Sequence, residues 1–388
     1  MRKLPDFRLE TFFSRWEFNA RFNLAASDAE SMALTELLDM ADADGRAAWE
    51  RLRLGYTETF GAPALRREIA RTYDALAPDD ILCFAGAEEG IYCAMSAVLE
   101  PDDHAIVVVP NYQSLQELPL ALCEVTGVAL DDANGWTLDL DAIRAAVRSN
   151  TRLIVVNFPH NPTGRIIPRT NFVSLVELAT AHDIVLFSDE VYRGLERDPT
   201  LRLAQAADLS PTAMSLGVMS KAYGLAGLRI GWIACRDRAM LSRMERVKHY
   251  LSICNSAPSE ALALIALRSR DRILERTRSI VASNLERLDA FFGEHRDLFA
   301  WYIPDGGCTG FPRYLGDDGI EEFCRSAVEE AGVLLLPGSV YASPLAPTPT
   351  DRFRIGFGRR NVPEALEALG AHLNARAARL RAGAVAAR

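Results

Sequence analysis

Lysine is nearly absent from this 388-residue chain. Three occur, Lys3, Lys221 and Lys248, against 40 arginines. Arginine carries almost all the solvated positive charge, so a lysine among small and apolar residues points to what arginine does not do: lose its proton and act as an amine nucleophile. No run of about 18 apolar residues exists, and the opening Met-Arg-Lys-Leu-Pro-Asp has no apolar signal core, so neither a membrane span nor export is expected. Positive charge is in deficit: Lys and Arg total 43 against 52 Asp and Glu, a net charge of -9, with no basic block to attract nucleic acid. The seven cysteines (Cys83, Cys93, Cys123, Cys235, Cys254, Cys308, Cys324) are odd in number, scattered, and lack C-x-x-C or zinc-ligand spacing. A disulfide framework and a bound metal are therefore not expected, and a reducing cytoplasm suits the thiols.

What is present is ordinary for a globular protein: 49% apolar and 24% charged residues, in a chain long enough for two domains. Residues 1–34 are aromatic-rich (Phe7, Phe12, Phe13, Trp16, Phe18, Phe22) and read as an arm that joins a small domain. Residues 35–250 alternate apolar Val/Ile runs at 81–84, 105–109, 152–158 and 183–188 with helical stretches at 63–76, 88–99, 114–122, 139–148 and 169–182. That alternation predicts an α/β domain, a mostly parallel sheet sandwiched by helices. Residues 251–388 carry one long charged helical stretch (258–295), then short strands and helices, and predict a smaller α+β domain.

Ligands of open α/β sheets sit beyond the carboxyl ends of the strands, so the residues following each strand matter most. Gly86, Ala87 and Glu88 follow the first strand and open a helix, where small residues and free N–H groups favour an anion, although many such turns bind nothing. Tyr112 follows the second, as a core aromatic or as a platform for a flat ring. Asn161 follows the third in the rigid run Pro-His-Asn-Pro-Thr-Gly (159–164). Asp189 and Tyr192 follow the fourth. A carboxylate there needs a partner, whether a helix N-terminus, a salt bridge or a protonated ring nitrogen. Lys221 lies in 217–232, GVMSKAYGLAGLRIGW, whose apolar setting lowers an amine pKa. Arg229 is embedded in the same run and suits a phosphate or carboxylate.

Together these runs resemble the fold-type-I, pyridoxal-phosphate-dependent aminotransferases of class I/II, over roughly residues 20–375. The matching pieces are LGYTETFG (54–61), AGAEEG (85–90), PNY (110–112), NFPHNPTG (157–164), SDEVY (188–192), SKAYGLAGLRIGW (220–232) and RFRIGFG (352–358). The resemblance implies a Schiff base between Lys221 and pyridoxal 5'-phosphate, with Lys221 later shuttling a proton. It implies that Asp189 holds the pyridine nitrogen protonated, that Tyr192 and Asn161 hydrogen-bond the ring's phenolic oxygen, and that Tyr112 stacks on the ring. Gly86, Ala87, Glu88, Ser220 and Arg229 would hold the phosphate, joined by Tyr56 of a neighbouring subunit in a homodimer. Arg354, with Asn161, would bind the substrate carboxylate.

The implied reaction is ping-pong transfer of an amino group between an α-amino acid and a 2-oxo acid. Elimination, replacement or cyclisation on an amino acid would use the same lysine and aspartate; a non-catalytic sensor would need a further domain. Two departures stand out. Val218 occupies a place where many relatives carry a phosphate-binding serine, and Asn23-Leu24-Ala25-Ala26-Ser27 lacks the glycine of their substrate loop.

Overall fold

The structure, a computed structural model, describes residues 3–386; Met1, Arg2, Ala387 and Arg388, the outer ends of the expected arm and small domain, lie outside the described residues. The chain opens with helix α1 (Arg8–Trp16) and a short strand β1 (Phe22–Asn23). Helices α2 (Leu34–Leu38), α3 (Ala43–Glu50) and α4 (Pro63–Ala70) follow. Helix α4 starts on Pro63 as expected, but it stops at Ala70 instead of reaching residue 76. Beyond it, Asp208 accepts the N–H groups of Asp74 and Ala75, and the Tyr73 hydroxyl accepts from the Trp232 indole; both ties favour a turn over further helix.

Seven strands form the central sheet: β2 (Ile81–Phe84), β3 (His104–Val109), β4 (Glu124–Ala129), β5 (Thr151–Asn157), β6 (Val185–Asp189), β7 (Met214–Val218) and β8 (Gly231–Ala234), in the order β2-β8-β7-β6-β5-β3-β4. Every pairing from β4 across to β7 is parallel, and β8 runs antiparallel to both its neighbours. The sheet is mostly parallel, as the sequence predicts. Successive side chains feed opposite cores. Val107, Leu153, Val155 and Phe187 join one cluster, while Ile106, Val108, Ile154 and Val156 join the other. This two-sided burial is why the strands read as unbroken apolar runs. Helix α5 (Ala87–Val98) packs against the sheet directly after β2.

Three sheet strands escaped the sequence reading. Strand β4 lies at the sheet edge with partly exposed residues, so it lacks an apolar run. Strands β7 and β8 are short and glycine-bearing because space demands it. A Cβ on Gly217 would lie 2.4 Å from the Trp232 ring, and one on Gly231 would lie 2.8 Å from the Gly86 backbone.

In the C-terminal part, the expected single helix over 258–295 is two, Ala257–Arg268 and Arg270–Glu294. Ser269 breaks it, with φ -105° and ψ 16°, and its hydroxyl donates to the Met40 carbonyl at 3.0 Å. One residue held by a tertiary hydrogen bond leaves the helical period on either side intact. Phe353–Gly356 pairs antiparallel with Thr309–Gly310 and Leu336–Pro337. Strand β1 of the arm pairs parallel with Val333–Leu334, and Gly356 N–H donates to the Leu24 carbonyl at 2.6 Å. No helix among the described residues is long and apolar enough to cross a membrane.

Candidate active site

A cavity of about 270 Å³ opens at the carboxyl ends of the parallel strands. The register of the sheet assembles its floor. Asn157 and Asp189, the last residues of β5 and β6, face each other across the ladder. The Asn157 amide donates to the Asp189 carbonyl at 3.1 Å, and its Oδ1 accepts the Asn161 N–H at 2.7 Å. One asparagine thus fixes both the strand end carrying Asp189 and the turn carrying Asn161. Val218, Ser220 and Lys221 enter from the end of β7, Ala87 and Glu88 from the start of α5, and Tyr112 from the loop after β3.

Lys221 Nζ donates to Ser27 Oγ at 2.9 Å. Burial pulls its pKa below the usual amine range, aided by the nearby Arg354 charge, while Asp28 and Asp189 pull the other way. Burial lifts the Asp189 carboxyl to about 7, even though Oδ1 accepts the Val191 N–H at 3.1 Å. A buried carboxylate in that state calls for a proton or a cationic donor. The Tyr192 hydroxyl donates to the Ser27 carbonyl at 2.7 Å, and burial holds its pKa high.

The anion cradle is built from the left-handed region of the backbone. Gly86 caps α5 at φ 94°, and a Cβ there would lie 2.5 Å from Arg229 Nη2. Arg229 itself sits at φ 51°, costly for a non-glycine residue and a recurrent mark of functional sites. Its Nη1 donates to Ser220 Oγ at 3.4 Å. Two details differ from expectation. Gly86 N–H is held by the Phe84 carbonyl at 2.8 Å, so its contribution is room for the guanidinium, while Ala87 and Glu88 occupy helix positions whose N–H groups have no intrahelical partner. Arg229 is exposed at the cavity mouth instead of embedded, because its left-handed turn brings the side chain over Gly86 and out of the sheet.

Three expected residues, Gly86, Arg354 and Tyr56, do not line the cavity. Arg354 is fully buried behind it. Its Nη1 donates to the Tyr341 hydroxyl at 2.6 Å, and Tyr341 in turn donates to Asn161 Oδ1 at 2.9 Å. Its Nε and Nη2 donate to the Ala25 carbonyl. Tyr56 is 92% exposed on the outer surface. Other lining residues were missed: Leu9, Glu10, Phe13 and Glu17 of the arm, and the pair Asp28 and Arg359. Arg359 grips Asp28 with two nitrogens at 2.9 and 3.1 Å. Arg359 directly follows the RFRIGFG run, a signal that was available; the arm residues carry no motif.

Pyridoxal 5'-phosphate fits on two of these observations. The Gly86–Arg229–Ser220 cradle suits a phosphate, and the buried Asp189 suits a protonated ring nitrogen, with Lys221 on the same cavity wall. An amine, an anion cradle and a buried carboxylate at the strand ends of an α/β sheet define a pyridoxal-phosphate-dependent enzyme. The chain belongs to the class I and II aminotransferases, whose family model matches residues 21–369. It is 29% identical to capreomycidine synthase of Streptomyces vinaceus over 381 residues, covering 96% of each chain. In structure it matches a pyridoxal-phosphate-dependent aminotransferase from Streptococcus suis with a TM-score of 0.89 and 30% identity, over 96% of this chain and 98% of that one. It also matches the pyridoxal-phosphate-dependent cyclase OrfR with a TM-score of 0.87 and 25% identity, over 97% and 99%. The protein is accordingly a pyridoxal-phosphate-dependent aminotransferase by family.

Proposed function

We propose that Lys221 carries the cofactor and that the cavity moves an amino group from an α-amino acid to a 2-oxo acid in two half-reactions. The observation that carries this is Lys221, with its lowered pKa, lining the same cavity as the buried Asp189. Pyridoxal phosphate, when bound, supplies an electron sink for the charge left as the substrate loses its α-proton. Lys221 Nζ accepts that proton, and a depressed pKa suits an amine to accept and return one near neutral pH. Asp189 holds a ring N–H, Asn161 and Tyr192 hold the ring oxygen, and Tyr112 covers a ring face. Ala87 and Glu88 N–H groups, Ser220 and Arg229 hold the phosphate. Arg354, aided by Asn161, takes the substrate α-carboxylate in a two-pronged grip.

The proposal extends to a homodimer in the cytoplasm. Leu54, Tyr56, Tyr250, Leu251 and Ile253 are exposed on two segments tied together by the Thr57 hydroxyl donating to the Asn255 carbonyl. Such a patch suits a second copy of the chain, with Tyr56 reaching its phosphate. Six of the seven cysteines are buried, which suits a reducing compartment. The arm and residues 251–388 form one unit beside residues 35–250, supported by the pairing of β1 with Val333–Leu334.

The test is a half-reaction. Holoenzyme mixed with a panel of amino acids should lose its visible cofactor absorbance with one of them, and a 2-oxo acid should restore it. Repeated turnover of the amino acid with no 2-oxo acid present would instead favour a second reading, cyclisation of an amino acid. That reading is supported by the end-to-end similarity to the pyridoxal-phosphate-dependent cyclase OrfR.

A further inference from the structure

The arm contributes to the cavity two carboxylates that have no ion-pair partner among the described residues. Helix α1 and its C-terminal cap, Glu17, place Glu10, Phe13 and Glu17 at helical spacings of three and four, on one face, and all three line the cavity. Phe13 is buried, Glu17 is half-buried and Glu10 is exposed at the mouth. Among the described residues neither Glu10 nor Glu17 has a side-chain hydrogen bond or ion pair.

Every other charged group on the wall has an occupation. Asp28 is held by Arg359, and Glu88 accepts the Ser114 hydroxyl at 3.1 Å. Arg229 donates to Ser220, Lys221 to Ser27, and Asp189 accepts the Val191 N–H. The Arg359 charge lowers the Glu17 pKa, yet its hydrogen bonds go to Asp28. Burial raises the Glu17 carboxyl, with Asp28 and Glu10 adding repulsion, so a cation arriving there would find an under-neutralised site.

The position matters as much as the charge. The Arg354 guanidinium lies 5.8 Å from the Phe13 ring centre. The acidic face of α1 therefore adjoins the arginine assigned to the substrate α-carboxylate. With that carboxylate at Arg354 and the amino group toward Lys221, the substrate side chain faces the α1 wall. Leu9 and Phe13 offer an apolar surface for a methylene stem, and the two carboxylates lie to either side of Phe13 for its head, the arrangement that long cationic side chains favour.

We propose that the amino-acid substrate of this site carries a positively charged side chain, guanidinium or ammonium, recognised by Glu10 of helix α1 and by Glu17 at its C-terminal cap. This rests on the active-site reading above and narrows it to one substrate class; a dicarboxylic substrate would meet repulsion from the same wall.

The experiment titrates holoenzyme with L-arginine, L-lysine, L-leucine and L-glutamate and follows the change in cofactor absorbance. Arginine or lysine should half-saturate at a concentration at least tenfold below leucine and glutamate. The Glu10→Gln/Glu17→Gln double variant should raise the half-saturation for that cationic amino acid about tenfold or more and leave leucine unchanged. Equal or tighter binding of leucine or glutamate, or an equal effect of the variant on all four, overturns the inference. Borohydride reduction of the same holoenzyme separates the two levels. A cofactor adduct on Lys221 without a cationic preference removes only this inference, whereas absence of the adduct removes the active-site reading with it.

Discussion

Arg354 gives both Nε and Nη2 to a single acceptor, the carbonyl of Ala25, at 3.0 and 2.6 Å. These two donors are the parallel pair that would grip a carboxylate, so the arm backbone stands where the substrate carboxylate would dock. Binding then exchanges one neutral carbonyl for a charged, two-oxygen partner. Lysine keeps the charge but not the fork. Arg354→Lys should raise KM for the amino acid about 10–100-fold, the value of one charge-assisted hydrogen bond, with a smaller change in kcat. The corresponding amino-acid amide serves as the check: wild type should discriminate strongly against it, and the variant should do so weakly.

Gly86 and Arg229 form the other tight pair. Gly86→Ala places a methyl 2.5 Å from Arg229 Nη2 at a backbone angle of φ 94°. The expected result is cofactor affinity reduced at least about tenfold, since either the guanidinium or the helix start has to move. Gly227→Ala is the internal control, because no atom lies within 4 Å of its added carbon. Fluorescence titration of cofactor-free protein with pyridoxal phosphate measures both. Equal affinities for the two variants would contradict the assigned cradle.

The raised carboxyl of Asp189 carries a pH signature. Its folded value of about 7 lies above the ordinary 3.8, so the folded cofactor-free protein binds the proton more tightly than the unfolded chain. The stabilisation is complete below about pH 4 and is lost as pH rises toward 7, on the order of 4 kcal/mol in all. Asp189→Asn removes this contribution. Urea unfolding of the cofactor-free proteins at pH 5 and pH 8 should show a smaller stability loss in the variant than in wild type. Parallel losses would place the titration elsewhere.

Tyr56 is 92% exposed, and its proposed place at the phosphate of a second copy has a direct test. Tyr56→Phe and Lys221→Ala chains should each be impaired alone. Refolded together, they should regain activity in mixed dimers, where one of the two sites has both residues intact. Activity no higher than the sum of the separate variants would count against a shared site.

The strand ends were legible because a buried parallel strand is an unbroken apolar run and the turn after it is crowded with prolines, glycines and polar residues. Asn161, Asp189 and Lys221 could thus be located before any coordinates, and the sheet brings them to one cavity. What escaped the sequence depends on distant partners. Ser269 interrupts a helix through the Met40 carbonyl, and β7 and β8 need glycines that read as loop. Tyr341, which joins Arg354 to Asn161, lies in a short helical turn with no motif. The acidic face of α1 looks like a solvated surface until the arm is seen folded over the cavity.

Reduction of the holoenzyme with borohydride, followed by mass mapping of its peptides, tests the central claim most directly. The account predicts one reduced pyridoxyl group per chain on the peptide containing Lys221, and none on those containing Lys3 or Lys248. Cofactor-saturated protein that yields an unmodified Lys221 peptide, or an adduct on Lys248, would contradict it.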